Sequence, residues 1–368
     1  MTRPRVVVAG LGDSGLLTAI HLARADVDVV GVSSKPGLVS GQELGLRLAR
    51  PADWARDYRI GFDRFRRLDR AEIVHGELTG LDPAARTVAV RDREIRYDVL
   101  VVATGVSNGF WRRPGFQTDA DVTAALGSAH DRLAGSASVL VVGGGAAAVT
   151  TALQVACRWP EKRVTLAFPG RRALPQHHPR VWDVARRRLA DAGVVLLPER
   201  RADVPDDFAA DEITAGPVAW TTGGPATAAD AVVWAIGRVR PNTGWLPAGL
   251  LDEHGFVRVE PTLRVPGAPG VFAIGDVAAT DVLRSSARNR ADRLLARNIM
   301  AHLVDRPLRE FAAPRRRWGS VLGPERDGLR VFSPAGRPFR FPAWTLDRVL
   351  QPWIVRRGIY GGVRPGIR

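Results

Sequence analysis

Two glycine-rich turns contain the residues whose types and spacing best fit a chemical task. The first turn contains Gly10, Gly12, Ser14 and Gly15, and the second contains Gly143, Gly144, Gly145 and Ala148. In such a turn the first glycine permits a tight bend, and the second lets the backbone approach a pyrophosphate. The phosphates then bind at the N-terminus of the following helix, where free N–H groups and the helix dipole favour anions. The pattern predicts two phosphate-binding turns.

Each turn lies between an apolar run that predicts a strand and a small-residue run that predicts a helix. The first turn follows Arg5–Ala9 and precedes a helix over 16–23 and a second strand at Val27–Val32. The second turn follows Ser138–Val142 and precedes a helix that ends near Ala156. Because their first glycines are 133 residues apart, we expect two separate dinucleotide-binding units.

Three further fragments fit the same organisation. Tyr97–Gly105 is a predicted strand that ends in Ala-Thr-Gly, and Ala231–Gly237 is its counterpart in the second unit. Gly270–Asp276 is a predicted strand that ends in Gly-Asp, ahead of a helix from about Ser285 to Val304. The order of these fragments predicts an α/β fold with two Rossmann-like dinucleotide-binding domains and a small C-terminal segment.

Over roughly residues 3–305, these fragments resemble the two-dinucleotide-binding-domain flavoproteins of the pyridine nucleotide-disulfide reductase superfamily. In that family the N-terminal motif binds FAD and an inserted unit binds NAD(P)H. The resemblance implies an FAD-binding domain from 1–113 and 244–305, an NAD(P)H-binding domain from 114–243, and a C-terminal interface or membrane-docking segment from 306–368.

The resemblance also implies roles for individual residues. FAD is expected to bind at Gly10, Gly12, Ser14, Gly15, Ser33, Ser34, Thr104, Gly105, Gly275, Asp276 and Ser285. The nicotinamide coenzyme is expected to bind at Gly143, Gly144, Gly145, Ala148, Arg171, Arg172 and Gly237. In this scheme Asp276 accepts hydrogen bonds from the ribityl–phosphate region of FAD, and Thr104 and Gly105 close over the cofactor where the chain crosses between the domains.

Both units lack the acidic residue that usually ends the second strand and binds the adenosine ribose hydroxyls. Ser33 or Ser34 takes that place in the first unit, and the second unit reads Leu-Ala-Phe168 there, followed by Arg171 and Arg172. An acid would repel a 2′-phosphate, whereas arginine attracts one. The coenzyme is therefore NADPH or NADH, and the arginines favour NADPH if they are more than solvated surface residues.

The cysteine content separates branches of the family. Disulfide reductases carry a CxxxxC pair just after the second strand of the FAD domain, but 35–45 contains no cysteine here. Cys157 is the single cysteine of the sequence and is expected to be a buried thiol. A thiol relay is therefore excluded, and the fingerprint of paired-Rossmann flavin monooxygenases is also absent. What remains is hydride transfer from NAD(P)H to flavin N5 and then to an external acceptor.

The layout most resembles type II NADH dehydrogenases and the apoptosis-inducing-factor-like ferroptosis suppressor proteins, which reduce quinones. We therefore expect an FAD-dependent NAD(P)H:acceptor oxidoreductase that prefers a quinone. One alternative is a reductase of a small iron–sulfur protein that docks on a basic surface. Another is a nucleic-acid-binding flavoprotein resembling apoptosis-inducing factor, although no recognition motif is visible and nucleic acid is not an expected partner.

Hydride transfer between bound cofactors needs no general acid or base, because the protein supplies alignment and electrostatics. By resemblance, the helix that begins near Ser285 and Ser286 directs its N-terminal dipole at the flavin, where it would stabilise the anionic reduced form. Asn289 and Arg290 follow in its first turns and are the candidate acceptor-side residues; ordinary surface positions are an equal alternative.

Composition fits a soluble globular protein with a basic surface. Hydrophobic residues make up 45% and charged residues 25%, and the net charge is +15, which favours anionic partners unless it reflects an arginine-rich genome. We expect no metal site, because the histidines are scattered, and no spanning helix. The expected location is the cytoplasm, with peripheral attachment at the inner face of a membrane left open; a homodimer is also left open.

The C-terminus carries a candidate docking face. Leu346, Val349, Leu350, Trp353 and Ile354 have helical spacing, and Arg356 and Arg357 follow. Tryptophans suit the headgroup boundary of an anionic membrane. The alternatives are that this face packs on the protein's own FAD domain or on a second subunit, and Pro352 is expected to kink or break the helix.

Overall fold

The computed structural model describes residues 3–108, 114–208, 210, 212–280, 291–312 and 319–366. The strands of these residues are β1 (Arg5–Ala9), β2 (Asp28–Ser33), β3 (Gly37–Val39), β4 (Arg59–Gly61), β5 (Glu72–His75), β6 (Leu78–Asp82), β7 (Thr87–Val90), β8 (Arg93–Arg96), β9 (Val99–Val102), β10 (Val106–Ser107), β11 (Ser138–Val142), β12 (Arg163–Ala167), β13 (Val195–Leu197), β14 (Thr214–Val218), β15 (Thr227–Trp234), β16 (Arg240–Pro241), β17 (Val271–Ala273), β18 (Pro324–Glu325), β19 (Gly328–Phe332) and β20 (Pro338–Pro342). The α-helices are α1 (Asp13–Leu22), α2 (Leu44–Ala49), α3 (Pro51–Tyr58), α4 (Asp119–Ala134), α5 (Ala146–Arg158), α6 (Pro179–Asp191), α7 (Ala291–His302) and the short α8 (Ala343–Thr345).

The first sheet is fully parallel and has the strand order β17-β9-β1-β2-β5. Helices α1 and α7 pack on one face, and an apolar layer that includes Trp245 and Leu250 covers the other. Because both faces are buried, β1 and β9 read as continuous apolar runs rather than as alternating ones. Strand β17 comes from a late part of the chain, so the sheet joins segments on either side of the second unit.

The second sheet has the order β13-β12-β11-β15-β14, and only its edge strand β14 is antiparallel. Helices α5 and α6 cover one face, and a second cluster around Trp220 and Trp234 covers the other. In the first sheet the glycine turn follows β1, which lies between β2 and β9. In the second sheet the glycine turn follows β11, which lies between β12 and β15. The predicted α/β fold with two Rossmann-like units is confirmed.

The chain crosses between the two sheets at a short antiparallel ribbon. Strand β10 pairs with β16, so that Val106 lies opposite Pro241 and Ser107 opposite Arg240. The entry to the second unit and the exit from it therefore lie side by side.

The C-terminal segment packs on both units of its own chain. Val321, Leu322 and Phe332 are buried in the core of the second unit. Farther along, Val355 and Tyr360 are buried against the core of the first unit. The segment therefore contacts both units through residues other than the predicted apolar face.

Ion pairs accompany this packing at both ends of the segment. The Glu325 carboxylate, 6% exposed, lies 2.6 Å from a nitrogen of Arg188 on α6 and 3.1 Å from one of Arg330 on β19. Toward the C-terminus, Arg356 lies 3.0 Å from Asp57, and Arg364 donates two hydrogen bonds to the exposed Asp69. The pair of Glu325 with Arg188 joins the segment to α6, and leaving one partner of such a buried pair alone is costly.

The predicted single face of the C-terminal helix is wrong, because Leu346–Ile359 is a π-helix with Pro352 inside it. Its i→i+5 hydrogen bonds widen the turn, as in the bond from Tyr360 N to Val355 O of 3.0 Å. Positions four to five apart therefore share a face, whereas the prediction assumed three to four. Leu346 and Leu350 are half-buried, and Val349, Trp353 and Ile354 are exposed.

Two further expectations are resolved by the fold. Cys157, predicted to be buried, is exposed near the end of α5. Among the helices that the structure describes, none combines the length and the apolar character that a membrane crossing needs.

We predict that Glu325→Ala lowers the free energy of unfolding by about 3 kcal/mol, because it leaves the guanidinium groups of Arg188 and Arg330 without their shared buried carboxylate. Urea unfolding of the full chain measures the change. The matched control is Glu253→Ala, whose side chain is 85% exposed and lies 3.6 Å from His254. A Glu325→Ala protein as stable as this control would contradict the prediction.

Candidate dinucleotide-binding sites

A cavity of about 390 Å³ opens at the carboxyl edge of the first sheet. It is the position where open parallel sheets bind their ligands. The sequence-predicted residues that line it are Gly10, Gly12, Ser14, Ser33, Ser34, Thr104, Gly105, Gly275 and Asp276. The fold thus brings most of the predicted FAD ligands to one cavity; Gly15 lies in the same turn, within α1.

The glycines of the first turn are required for different reasons. Gly10 has a φ of +101°, and a Cβ there would lie 2.5 Å from the Ala103 carbonyl oxygen. A Cβ at Gly15 would overlap the Gly10 carbonyl oxygen. A Cβ at Gly12 meets nothing within 4 Å, and no side chain caps α1 there. Gly12 therefore faces open space at a helix N-terminus, which is the cradle that a pyrophosphate fills.

The late Gly-Asp motif meets the first turn across the cavity. Gly275 has a φ of +82°, and a Cβ there would lie 2.9 Å from the Ser14 hydroxyl oxygen. Asp276 follows in a short 3₁₀ turn and also lines the cavity. The remaining predicted residues of this motif's helix, Ser285, Ser286, Asn289 and Arg290, lie outside the described residues.

The end of β2 is basic rather than acidic. Ser33 is buried, and its hydroxyl accepts a hydrogen bond of 3.1 Å from the backbone N–H of Lys35. Burial, together with the nearby Arg47 guanidinium, lowers the pKa of Lys35 to about 8. Lys35 and Arg47 both line the cavity, as do Ser33 and Ser34. Two basic side chains therefore lie on the same wall as the end of β2, where an acidic residue is usual.

Asp13 shapes a wall of the cavity, a role that sequence reasoning missed. Its carboxylate accepts hydrogen bonds from the Ser40 hydroxyl at 2.7 Å and from the Gly41 backbone N–H at 2.9 Å. The Gln42 carbonyl oxygen in turn accepts a hydrogen bond of 2.9 Å from the indole of Trp54, which is fully buried. No pattern in the sequence pairs Asp13 with this distant loop.

Asn242 is the second residue that sequence reasoning missed. It lies at the crossing between the two sheets, where its side-chain amide donates to the Thr104 carbonyl oxygen at 2.9 Å. Its amide oxygen accepts from the Ser107 hydroxyl at 2.7 Å, and its backbone N–H donates to the Gly105 carbonyl oxygen at 3.0 Å. The Arg-Pro-Asn sequence that follows β15 is the signal that could have indicated it.

The second glycine turn repeats the geometry of the first. Gly143 has a φ of +146°, and a Cβ there would overlap the Ala235 carbonyl oxygen. A Cβ at Gly145 meets nothing within 4 Å, as at Gly12, whereas Ala148 is fully buried. Gly144 packs beside Phe168, which would lie 3.4 Å from a Cβ there, and Gly237 has a φ of +76° just beyond β15.

The predicted coenzyme arginines lie in the loop after β12, and this loop contacts the second turn. The backbone N–H of Leu174 donates to the Gly144 carbonyl oxygen at 2.7 Å. Arg171 is 92% exposed, with its nearest carboxylate oxygen, that of Glu199, 3.4 Å away. Arg172 donates weak hydrogen bonds to the carbonyl oxygens of His177 and Pro175. Arg171 is therefore the more available of the two.

Comparisons with known proteins agree with this geometry. Residues 4–300 match the model of the family described as pyridine nucleotide-disulphide oxidoreductase. Ferroptosis suppressor protein 1 from Taeniopygia guttata is 28% identical, over 83% of either chain. A NADH dehydrogenase-like protein from Mycobacterium tuberculosis is 29% identical, over 84% of this chain and 83% of the relative.

Among solved structures, the sulfide:quinone oxidoreductase of Aquifex aeolicus superposes with a TM-score of 0.73 at 16% identity, covering 99% of this chain and 93% of that one. The family match covers both glycine turns, the crossing and the Gly-Asp motif. This chain therefore belongs to the pyridine nucleotide-disulphide oxidoreductase family, and it is an oxidoreductase that uses FAD and NAD(P)H.

Proposed function

We propose that the protein is an FAD-dependent NAD(P)H:quinone oxidoreductase. In this proposal 1–113 and 244–305 form the FAD-binding domain, 114–243 form the NAD(P)H-binding domain and 306–368 form an interface segment. One observation carries the proposal: the described residues that line the family-typical cavity include no cysteine. Cys157, the single cysteine of the sequence, is exposed near the end of α5 in the second unit.

The chain's own residues hold and orient the cofactor. Gly12 leaves room for the pyrophosphate at the N-terminus of α1, and Asp276 takes the ribityl–phosphate side of the cavity. Thr104 and Gly105 are fixed by Asn242 and close the cavity from the crossing. Bound FAD supplies the two-electron chemistry, accepting a hydride from NAD(P)H and passing reducing equivalents to the acceptor. The hydride transfer from NAD(P)H to the flavin needs no acid or base from the protein.

For the coenzyme, the loop after β12 favours NADPH. Arg171 is exposed beside the second glycine turn, and neither Phe168 nor Pro169 at the strand end carries a charge that would repel a 2′-phosphate. NADH remains a substrate in this proposal because the glycine turn binds the pyrophosphate of both coenzymes.

An exposed apolar face supports docking on an anionic membrane, where quinones with long tails are found. The exposed apolar residues of this segment, which we propose form the face, are Phe339, Trp344, Val349, Trp353 and Ile354; the two tryptophans are 61% and 57% exposed. Arg357 lies over the Trp353 ring at 4.9 Å, which places a cation at the edge of the face. Tryptophan beside arginine suits the boundary between headgroups and acyl chains.

The first test of this proposal distinguishes the ligands of the two glycine turns. Gly12→Val should give a folded but colourless protein, because the added side chain meets only the space for the FAD pyrophosphate. Gly145→Val is its matched control: it has the same open surroundings, so it should keep its flavin absorbance and lose NAD(P)H binding. Flavin content and coenzyme titration measure both effects. A yellow Gly12→Val protein, or loss of flavin from Gly145→Val, would refute the assignment of the turns.

The second prediction concerns coenzyme preference. Replacing Arg171 and Arg172 with Ser should raise the KM for NADPH more than tenfold and leave that for NADH nearly unchanged, because a contact to a charged group contributes about 1.5–3 kcal/mol. The control is Arg163→Ser, at the opposite end of β12. Equal changes for both coenzymes would show that these arginines do not read the 2′-phosphate.

The third prediction tests the membrane face. The double substitution Trp344→Ser, Trp353→Ser should weaken binding to anionic vesicles more than tenfold, because it removes about 2 kcal/mol of interfacial burial. Co-sedimentation at low and high salt measures binding, and Val195→Ser, at a 48% exposed valine of the second unit, is the control. If the unmodified chain stays in the supernatant at low salt, the membrane face is excluded.

A further inference from the structure

Both units lack a carboxylate at the end of their second strand, yet each has one at the end of the strand beside it. Strand β5 pairs with β2, and Glu77 lies two residues beyond β5. Strand β13 pairs with β12, and Glu199 lies two residues beyond β13. Since carboxyl ends of parallel strands share one edge of a sheet, each glutamate lies next to the position where the acid is missing.

In the first unit, backbone bonds fix Glu77 beside the end of β2. The Gly76 backbone N–H donates to the Ser33 carbonyl oxygen at 2.9 Å, and the Glu77 carbonyl oxygen accepts from the Arg91 backbone N–H at 3.1 Å. Glu77 lines the same cavity as Ser33 and Ser34, and it is exposed to the cavity's solvent rather than packed in the core. A ligand at the end of β2 therefore finds this residue already in position.

The other acidic residues of the described cavity wall have different positions or partners. Asp13 accepts hydrogen bonds from Ser40 and Gly41 with both carboxylate oxygens. Asp276 lies at the opposite end, beside the first glycine turn, where Gly275 approaches Ser14. Of the three acidic residues among the described residues that line the cavity, Glu77 is the one whose neighbour, Gly76, bonds to the last residue of β2.

In the second unit, Glu199 is held in the same way. Its backbone N–H donates to the Gly170 carbonyl oxygen at 3.1 Å, and its own carbonyl oxygen accepts from the Thr222 hydroxyl at 2.8 Å. Its φ is +57°, a left-handed conformation that is uncommon for a side chain of this kind and is often found at functional sites. The carboxylate is 61% exposed and lies 3.4 Å from Arg171.

We propose that in both units the carboxylate that binds the adenosine ribose follows the neighbouring strand, β5 or β13, and not the second strand of the unit, β2 or β12. Glu77 binds the ribose hydroxyls of FAD, and Glu199 binds those of NADH. This inference rests on the proposed function, because it assigns FAD to the first unit and the nicotinamide coenzyme to the second.

The proposal explains how one loop can accept both coenzymes. With NADH bound, Glu199 accepts hydrogen bonds from the ribose hydroxyls. With NADPH bound, Arg171, the neighbour of Glu199, binds the 2′-phosphate and the carboxylate disfavours it. Glu199 and Arg171 are thus the residues that set the preference between NADH and NADPH.

The first test measures FAD affinity by flavin fluorescence, with the flavin content of the purified full chain as a second readout. Glu77→Ala should weaken FAD binding at least tenfold. It should not change binding of an FAD analogue that lacks both hydroxyls of the adenosine ribose, and the unmodified chain should bind this analogue as weakly as the variant binds FAD. The control is Glu72→Ala on β5, whose carboxylate pairs with Arg93 at 2.6 Å.

The second test measures dissociation constants for NAD⁺ and NADP⁺ by calorimetry, which needs no turnover. Glu199→Ala should weaken NAD⁺ binding at least tenfold and leave NADP⁺ binding equal or tighter. Its control is Glu161→Ala, at an exposed residue near the amino end of β12.

The outcomes are distinguishable. A yellow, NAD(P)⁺-binding chain in which Glu77→Ala and Glu199→Ala bind their ligands as the controls do overturns this inference and leaves the proposed function intact. If Glu77→Ala weakens binding of FAD and of the analogue without the two ribose hydroxyls equally, this inference is also overturned, since the effect then does not involve those hydroxyls. A chain that binds no FAD at all overturns the proposed function together with this inference.

Discussion

In both units the first glycine of the turn approaches a neighbouring strand more closely than a Cβ allows. In the first unit Gly10 meets the Ala103 carbonyl, and in the second Gly143 meets the Ala235 carbonyl. Two backbone hydrogen bonds flank this contact in each unit. Gly10 and Gly143 donate to the second strand, and Ala103 and Ala235 donate to the strand that carries the turn. This close approach sets the tight turn by which the chain passes from β1 into α1 and from β11 into α5.

Features that belong to one turn or one strand were predictable from the sequence. The glycines, the Ala-Thr-Gly strand and the Gly-Asp motif each have local requirements, so their types and order were enough to predict the two units. Most of the predicted FAD ligands line one cavity because the parallel sheet brings the ends of β1, β2, β9 and β17 to the same edge. Their individual roles in binding remain predictions.

What sequence reasoning missed depends on contacts between distant segments. Asp13 acts through the loop at Ser40, and Asn242 through Thr104, pairings that no spacing rule gives. The C-terminal face was predicted with the wrong period because an α-helical spacing was assumed around Pro352, where the backbone forms wider turns. Cys157 lies near the end of an otherwise buried helix, at a position that faces solvent.

The ribbon of β10 and β16 has a consequence for how such a chain can change. A unit whose two ends lie side by side can be inserted into, or exchanged within, a host without separating the host's own strands. Here the host sheet is completed by β17 only after the whole second unit has been made, so its last strand must wait for the insertion to be synthesised. The second unit can therefore be exchanged as one piece, with its junctions at Ser107 and Arg240.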